Sequence, residues 1–388
     1  CSPIDGLAAE DEAQDGILIH DFDPAYAADG RIVFASTRGN IQGLGVVGPT
    51  RTPATLAPNA NLYVYDPKGG ALLRQLTFLS NQELAPSFMS DGRVIFTAEK
   101  RALDFHQLAL RRQNLDGGDY HPLFAQRPSV GFGAATDVIE LPNRNFAMIA
   151  SPIDAQDGAG TVAILNRSIG PDQDDRDPRD RAYIHSLSTP VPGAFGGGTG
   201  VFRSPAALPS GRILVACDLG STDMHSEAHA YALCELDPTG RSEPRVVYQV
   251  AGAAALEPAV LWPRFPRTIF ASRMDEPNGS TTVVADKSDA IVHVTDMPLL
   301  ATLLFENTRE GRPIARSVRK VELYQPEPPP NAARTFADVR NHVVTDMYGD
   351  YFEDLRSLGT VYVSASGSLL VRIPGGVPVT LELQDARG

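Results

Sequence analysis

The stretch DGRIVFAS (Asp29–Ser36) decides the fold because the chain repeats it. DGRVIFTA follows at Asp91–Ala98 and SGRILVAC at Ser210–Cys217. Each copy is a short polar turn with a glycine followed by β-branched, aliphatic or aromatic residues, a pattern typical of a turn that leads into a strand. The interval from the second copy to the third is close to twice the interval from the first to the second. A further copy is therefore expected between them.

That further copy is LPNRNFAMIAS (Leu141–Ser151), and RFPRTIFAS (Arg264–Ser272) continues the series. A second phrase, consisting of a strand, a tight Asp/Gly/Pro turn and another strand, occurs at Asn61–Thr77, Leu108–Phe124 and Ala230–Tyr248. Two such hairpins make a four-stranded unit of roughly 45 to 60 residues, which is the size of a propeller blade. The sequence therefore predicts an all-β fold, a β-propeller of about six four-stranded blades with a small C-terminal β-rich segment.

The composition agrees with an all-β chain and argues against two kinds of partner. The 388 residues include 34 Gly and 31 Pro, which favours many turns over long helices. The formal net charge is −13 and no basic stripe is visible, so nucleic acid is not expected as a partner. No apolar run reaches the ~18 residues that a membrane-spanning helix needs.

The first sixteen positions, CSPIDGLAAEDEAQDG, are acidic and lack periodicity, as a tether would. A chain that starts at Cys1 is typical of a mature bacterial lipoprotein, so we expect lipid on Cys1 and no other attachment to the membrane. The alternative is a domain boundary that happens to fall at this cysteine. Ser2 favours the outer membrane, because the usual signal for retention at the inner membrane is Asp at that place. The expected location is the periplasmic side, anchored by lipid.

The propeller is expected over residues 17–330 and the C-terminal segment over 331–388. The run QPEPPP (Gln325–Pro330) marks this boundary, because a Pro-rich run holds an extended conformation outside a hydrogen-bonded ladder.

Two stretches resemble the TolB-type, WD40-like propeller repeat: HDFDPAYAADGRIVFASTR (His20–Arg38) and LAPSFMSDGRVIFTAEK (Leu84–Lys100). A narrower resemblance, to the middle region of hydrazine synthase alpha subunit-like proteins, is carried in order by Tyr231–Tyr248, Glu257–Arg273, Ser317–Pro330 and Arg356–Gly388. It implies a propeller followed by a β-rich segment. Many members of that family continue into a c-type haem domain with a C-x-x-C-H motif.

This sequence contains no C-x-x-C-H, and its three cysteines are dispersed, so no covalent haem attachment is encoded in it. Haem is expected only if another domain or chain supplies it. The resemblance covers the scaffold, and hydrazine synthesis itself does not follow from it.

The stretch CDLGSTDMHSEAHAYALC (Cys217–Cys234) has three interpretations. The two cysteines suit neighbouring strands of one hairpin, and an exported compartment permits a disulfide between them. They could instead be separately buried thiols. A metal site with His225 and His229 is the third interpretation, although structural zinc sites usually space the ligands of each arm more closely.

An acidic stretch, GPDQDDRDPRDR, offers oxygen ligands for a calcium ion at Asp172, Asp174, Asp175 and Asp177. Interleaved arginines neutralise it, which favours a solvated loop. The chain has neither G-x-S-x-G nor H-E-x-x-H, so no catalytic residue is assigned.

Two functions stay open. The first is a non-catalytic binding or assembly scaffold that meets a protein partner in a bacterial envelope or electron-transfer complex. The second is a propeller subunit of a haem-containing, hydrazine synthase-like redox enzyme. Long insertions at Gly39–Pro58, Ile153–Arg181 and Asp223–His229 are the expected docking loops.

Overall fold

The structure, a computed structural model, describes residues 20–37, 60–68, 72–77, 82–102, 105–115, 117–126, 132–156, 158–168, 179, 183–186, 200–226, 228–261, 288–300, 318–327, 343–345, 351–375 and 379–387. These residues form strands β1 to β22 and one helical turn at 297–300. Within these ranges, no helix is long and apolar enough to cross a membrane.

The first sixteen strands form four successive four-stranded antiparallel meanders, of which the second and third join in one eight-stranded sheet through a parallel pairing of Leu108 with Ala134. Meander 1 contains β1 (Asp21–Tyr26), β2 (Ile32–Ser36), β3 (Asn61–Asp66) and β4 (Leu72–Gln75). Meander 2 contains β5 (Glu83–Phe88), β6 (Val94–Ala102), β7 (Phe105–Gln113) and β8 (His121–Phe124). Meander 3 contains β9 (Ala134–Glu140), β10 (Phe146–Ser151), β11 (Thr161–Leu165) and β12 (Ile184–Ser186). Meander 4 contains β13 (Val201–Ala207), β14 (Ile213–Asp218), β15 (Ala232–Leu236) and β16 (Arg245–Tyr248).

The repeated sequence phrase is the turn between the first two strands of each meander. One residue of this turn has a positive φ, and its amide donates to a carbonyl three residues earlier at 2.8–3.0 Å; these residues are Gly30, Gly92, Arg144 and Gly211. The preceding side chain accepts from the amide two residues on at 3.0–3.4 Å; these side chains are Asp29, Asp91, Asn143 and Ser210. The copy expected at Leu141–Ser151 is confirmed, and the one at Arg264–Ser272 lies outside the described residues.

The meanders stack face to face, which explains the unbroken apolar runs of their second strands. On β6, Val94, Phe96 and Ala98 pack against meander 1. The intervening Ile95 packs into the core shared with meander 3. Because successive side chains of a strand point to opposite faces, a strand between two sheets must be apolar at every position. A third core joins meanders 3 and 4 through residues such as Ile149.

The first strands of the meanders follow one another in space. Strand β5 packs against β1, β9 against β5, and β13 against β9. Each contains an irregularity that shifts the register against its partner strand. The repeated element is therefore a bulged first strand joined to a second strand that is buried on both faces.

The C-terminal strands form two further sheets. Strand β17 (Asp289–Val294) pairs with β21 (Leu369–Pro374). Strand β18 (Lys320–Glu327) lies between β20 (Tyr351–Tyr362) and β22 (Thr380–Gln384), and β19 (Val343–Thr345) pairs with β20. Met297, Val318, Val321 and Leu369 form their core.

These pairings cross the boundary expected at residue 330, because β17 and β18 precede it and pair with strands that follow it. Strand β18 continues into the Pro-rich run as far as Glu327. Pro326 pairs only with β20, since the register of β18 with β22 covers Lys320–Tyr324 alone. A proline is tolerated where a strand is paired on one side, because its missing N–H leaves no ladder bond unmade there.

Candidate functional site

The bulges of the first strands place one residue of each meander in the same unusual conformation. These residues have φ between 49° and 52° and are Asp23, Ala85, Asp137 and Ser204. Glu257 repeats the feature with a φ of 50°. The amide of Ala255 donates to the carbonyl of Tyr231 at 2.8 Å, just as the amide of Glu83 donates to that of Ala60 at 2.8 Å. The segment at 255–257 therefore repeats the start of a first strand after the fourth meander.

Two of these bulge residues join neighbouring meanders through their carboxylates. Asp23 Oδ2 accepts from the amide of Ala85 at 3.0 Å. Asp137 Oδ2 accepts from the amide of Ser204 at 3.3 Å. In both pairs the acid of one meander holds the bulge of the next. The acids therefore have a structural role as well as a charge, because each satisfies a backbone amide that its own strand leaves without a partner.

The charges of the bulge residues act on one another. Burial raises the pKa of Asp137, and the charges of Asp23 and Glu257 raise it further, against the opposing effects of the Ser204 amide and Arg203. Burial also raises the pKa of Asp23, with a further contribution from Glu257. Glu257 follows meander 4, and its charge still contributes to the raised pKa of Asp23 in meander 1. We name Asp23, Asp137, Glu257 and Arg203 the inner-strand cluster.

The inner-strand cluster is polar and combines both signs of charge. Carboxyls with raised pKa values are typical of sites that exchange protons or bind cations. In the part of the chain that the structure describes, no group of three or more His, Cys, Asp or Glu is arranged to hold a metal ion. The cluster is therefore a candidate polar site on the inner strands without an assigned ligand.

Cys217 and Cys234 are joined by a disulfide, with their Cα atoms 5.8 Å apart. Cys217 pairs with Ala232 across the strands, and Cys234 pairs with Val215, so the two cysteines are diagonal neighbours. Both lie in the core between meanders 3 and 4. This is the hairpin pairing that the sequence analysis allows.

The two histidines of the metal interpretation each lie near an acid. His225 Nδ1 is 3.8 Å from Asp154 Oδ2, and its side chain is half-exposed. The His229 ring is fully buried, 3.6 Å from Asp218 Oδ2, with its centroid 5.3 Å from that of the Tyr231 ring. Because a disulfide has no thiolate to offer, the structure does not form the Cys2His2 site.

The segment Asp223–His229, which was expected to project, is held against the rest of the fold at Met224. Met224 is buried against Ala159 and Val201. Its carbonyl accepts from the amide of Gln156 at 2.9 Å, which ties the segment to meander 3. Cys1, the four loop acids Asp172, Asp174, Asp175 and Asp177, and the insertion Gly39–Pro58 lie outside the described residues.

Sequence reasoning missed a buried polar network between meanders 1 and 2. Glu83 is fully buried and accepts from Tyr120 Oη at 2.8 Å and from Asn61 Nδ2 at 3.1 Å. Burial raises the pKa of Glu83 to about 7, although hydrogen bonds from Thr77, Tyr120 and Asn61 and the charge of Arg111 oppose the rise. No local pattern marks Glu83 as buried.

The inner-strand cluster was also missed, although the sequence carries a signal for it. Four of the five bulge residues precede a proline, at Asp23, Ala85, Ser204 and Glu257. Alignment of the repeats on this proline places these four residues in one column, and Asp137, which precedes a valine, has the same bulge conformation.

No model of a protein family matches this chain, and no curated protein matches it. Among solved structures, an endo-arabinase from Bacteroides thetaiotaomicron has a TM-score of only 0.35, with 12% identity over 60% of this chain and 81% of the other. Hydrazine synthase from Kuenenia stuttgartiensis has a TM-score of 0.62, with 16% identity over 92% of this chain and 49% of that chain. This chain therefore shares its fold with about half of a hydrazine synthase chain.

Proposed function

We propose that this chain is a β-propeller that acts as a non-catalytic binding and assembly scaffold in a bacterial envelope or electron-transfer complex. The observation that carries the proposal is the fold likeness to hydrazine synthase, which extends over 92% of this chain. The match covers only 49% of the hydrazine synthase chain. In that protein, the matched half is therefore joined to further polypeptide, as a scaffold would be.

The propeller itself rests on the repeated meanders. Their stacked cores, the sequence of contacts among first strands and the fifth bulge at Glu257 all suit blades arranged about one axis. The effect of Glu257 on Asp23 supports a ring, because it brings the last described bulge near the first. About six blades would complete it.

An exposed apolar face supports the docking role. Ile291 and Leu370 are 64% and 66% exposed. Ile291 is two residues from His293, which pairs directly with Leu370, so both apolar side chains lie on one face of the β17–β21 sheet. Exposed apolar side chains that share a face are typical of protein interaction sites. We name these two residues the β17–β21 face.

The second function is a propeller subunit of a haem-containing redox enzyme whose haem lies on another domain or chain. The same likeness to hydrazine synthase favours it. The two proposals differ in what the complex purified through this chain carries and does: the redox enzyme absorbs in the Soret region and turns over a redox substrate, neither of which the scaffold function requires.

The test is co-purification of the tagged chain from membranes of its native host. We expect a partner protein to co-purify with the wild type and to be lost from the double variant Ile291→Ser/Leu370→Ser. The matched control is Tyr26→Ser, which removes another apolar side chain, 73% exposed, from meander 1. Retention of the same partner by the double variant would show that the β17–β21 face is not the docking surface. A wild type that purifies alone, absorbs in the Soret region and turns over a redox substrate would contradict the scaffold.

A further inference from the structure

A pocket lined by arginines lies where the turns of meanders 2 and 3 meet. It is a small open pocket of about 40 Å³, and four arginines line it, Arg93, Arg112, Arg144 and Arg167. Glu140 is the acid in its lining. Buried apolar side chains, including Met89 and Phe146, form its floor. We name this site the arginine pocket.

Two arginines of the arginine pocket, Arg93 and Arg112, share the same neighbouring acids and are unequally paired with them. Arg93 binds Asp91 at 2.7 Å and Asp119 at 3.2 Å. Among the described residues, the Arg112 guanidinium has one longer ion-pair contact, 3.5 Å from its Nε to Asp119 Oδ2, and this buried nitrogen makes no hydrogen bond to any of them. Burial and the charge of Arg93 lower the pKa of Arg112. An anion in the pocket would offset the repulsion between Arg93 and Arg112, and it would accept a hydrogen bond from Arg112 Nε.

Arg144 occupies the turn position that is glycine in the other three meanders. Its φ is 73°, a left-handed conformation that non-glycine residues adopt at an energetic cost. Its guanidinium donates to Ser90 Oγ and lies 3.9 Å from Glu140 Oε1. Glu140 also accepts from the amide and the hydroxyl of Ser90. A strained residue whose side chain lines a pocket is typical of a functional position.

Arg167 completes the rim. It is exposed and follows β11, and its side chain forms no ion pair with any residue that the structure describes. The arginine pocket thus offers the donors of Arg112, Arg144 and Arg167 to a ligand. This concentration of cations is unusual in a chain whose net charge is −13.

We propose that the arginine pocket binds a small tetrahedral dianion of the phosphate class, either free or as the terminal group of a phosphomonoester. Guanidinium groups match such oxyanions because their forked N–H donors bind two oxygens at once. The apolar floor would contact the organic part of a phosphomonoester. This site is separate from the inner-strand cluster and from the β17–β21 face.

The test is isothermal titration calorimetry of the full chain with inorganic phosphate and with phenyl phosphate, at constant ionic strength. We expect saturable binding to the wild type and a loss of about tenfold in affinity for Arg112→Gln and for Arg167→Gln. The matched control is Arg241→Gln, an exposed arginine after the corresponding β15–β16 turn of meander 4, which should bind as the wild type does. Tighter binding of phenyl phosphate would identify a phosphomonoester as the ligand, and equal binding would identify free phosphate.

Arg144→Gly guards against variants that fail to fold. Since the other three meanders carry glycine at this position, we expect it to keep the melting temperature of the wild type while losing about tenfold in phosphate affinity. The proposal is overturned if the wild type shows no saturable binding of either compound. It is equally overturned if Arg241→Gln weakens binding as much as the pocket variants do, or if Arg167→Gln and Arg144→Gly both bind like the wild type.

Discussion

The repeated turn depends on one backbone position in each meander. Gly211 holds this position in meander 4 with a φ of 84°, and a Cβ added there would meet nothing within 4 Å. Space is therefore available for a side chain, and only the left-handed conformation opposes one. Arg144 shows that the fold can accept a larger residue at this position when its side chain finds partners.

We expect Gly211→Ala to lower the free energy of unfolding by about 1 kcal/mol, because alanine is strained in the left-handed region. Gly211→Asn should cost less, since asparagine tolerates that conformation better. Urea unfolding of both variants measures the difference. Gly220→Ala is the control, because no positive φ marks Gly220. Equal stability of Gly211→Ala and the wild type would show that the turn does not depend on glycine.

Glu83 makes stability depend on pH in a defined direction. Its pKa is about 7 in the folded protein against an ordinary value of 4.5, so between these pH values the native state binds more protons than the unfolded chain. The stabilising contribution is complete below pH 4.5 and is lost as the pH rises through 7. Glu83→Gln keeps the shape and removes the titration.

We therefore expect the wild type to lose stability relative to Glu83→Gln between pH 4.5 and pH 8, by on the order of 3 kcal/mol. Chemical unfolding of both proteins across this range is the measurement. Parallel curves would mean that Glu83 does not stay protonated in the folded protein.

The second strand of a meander could be predicted from the sequence, whereas pairings between strands that are distant in the chain could not. The turn phrase and its apolar run located β2, β6 and β14 because both features are local. The pairing of β17 with β21 joins segments far apart in the chain, and no local pattern specifies such a partner. The same holds for the inner-strand cluster, since its members come together only when the meanders stack.

The hairpin of β14 and β15 is fixed by its disulfide. Cys217 and Cys234 are 17 residues apart, and closing a loop of this size in the unfolded chain stabilises the fold by about 3 kcal/mol. We expect the double variant Cys217→Ala/Cys234→Ala to lose about this much stability. Thermal unfolding with and without reductant is the measurement.

In that experiment reductant should lower the melting temperature of the wild type and leave the double variant unchanged. A wild type whose melting temperature does not respond to full reduction would show that the bond adds no stability to the hairpin.

The whole molecule combines stacked meanders with surfaces that the stacking does not bury. The stacked meanders bury their apolar faces against one another. The β17–β21 face leaves Ile291 and Leu370 open to solvent, and the arginine pocket leaves donors open at the edge of meanders 2 and 3. A binding scaffold needs surfaces of this kind.

The decisive measurement is a cryo-electron microscopy structure of the complex purified from native membranes through a tag on this chain. We expect a closed ring of meanders and a partner protein that covers the β17–β21 face, with more than about 1,000 Å² buried in total. The inner-strand cluster should then be free of any reacting ligand. A structure in which every outer face meets solvent, while Asp23, Asp137 and Glu257 contact a bound substrate or haem, would contradict the scaffold and favour the redox enzyme.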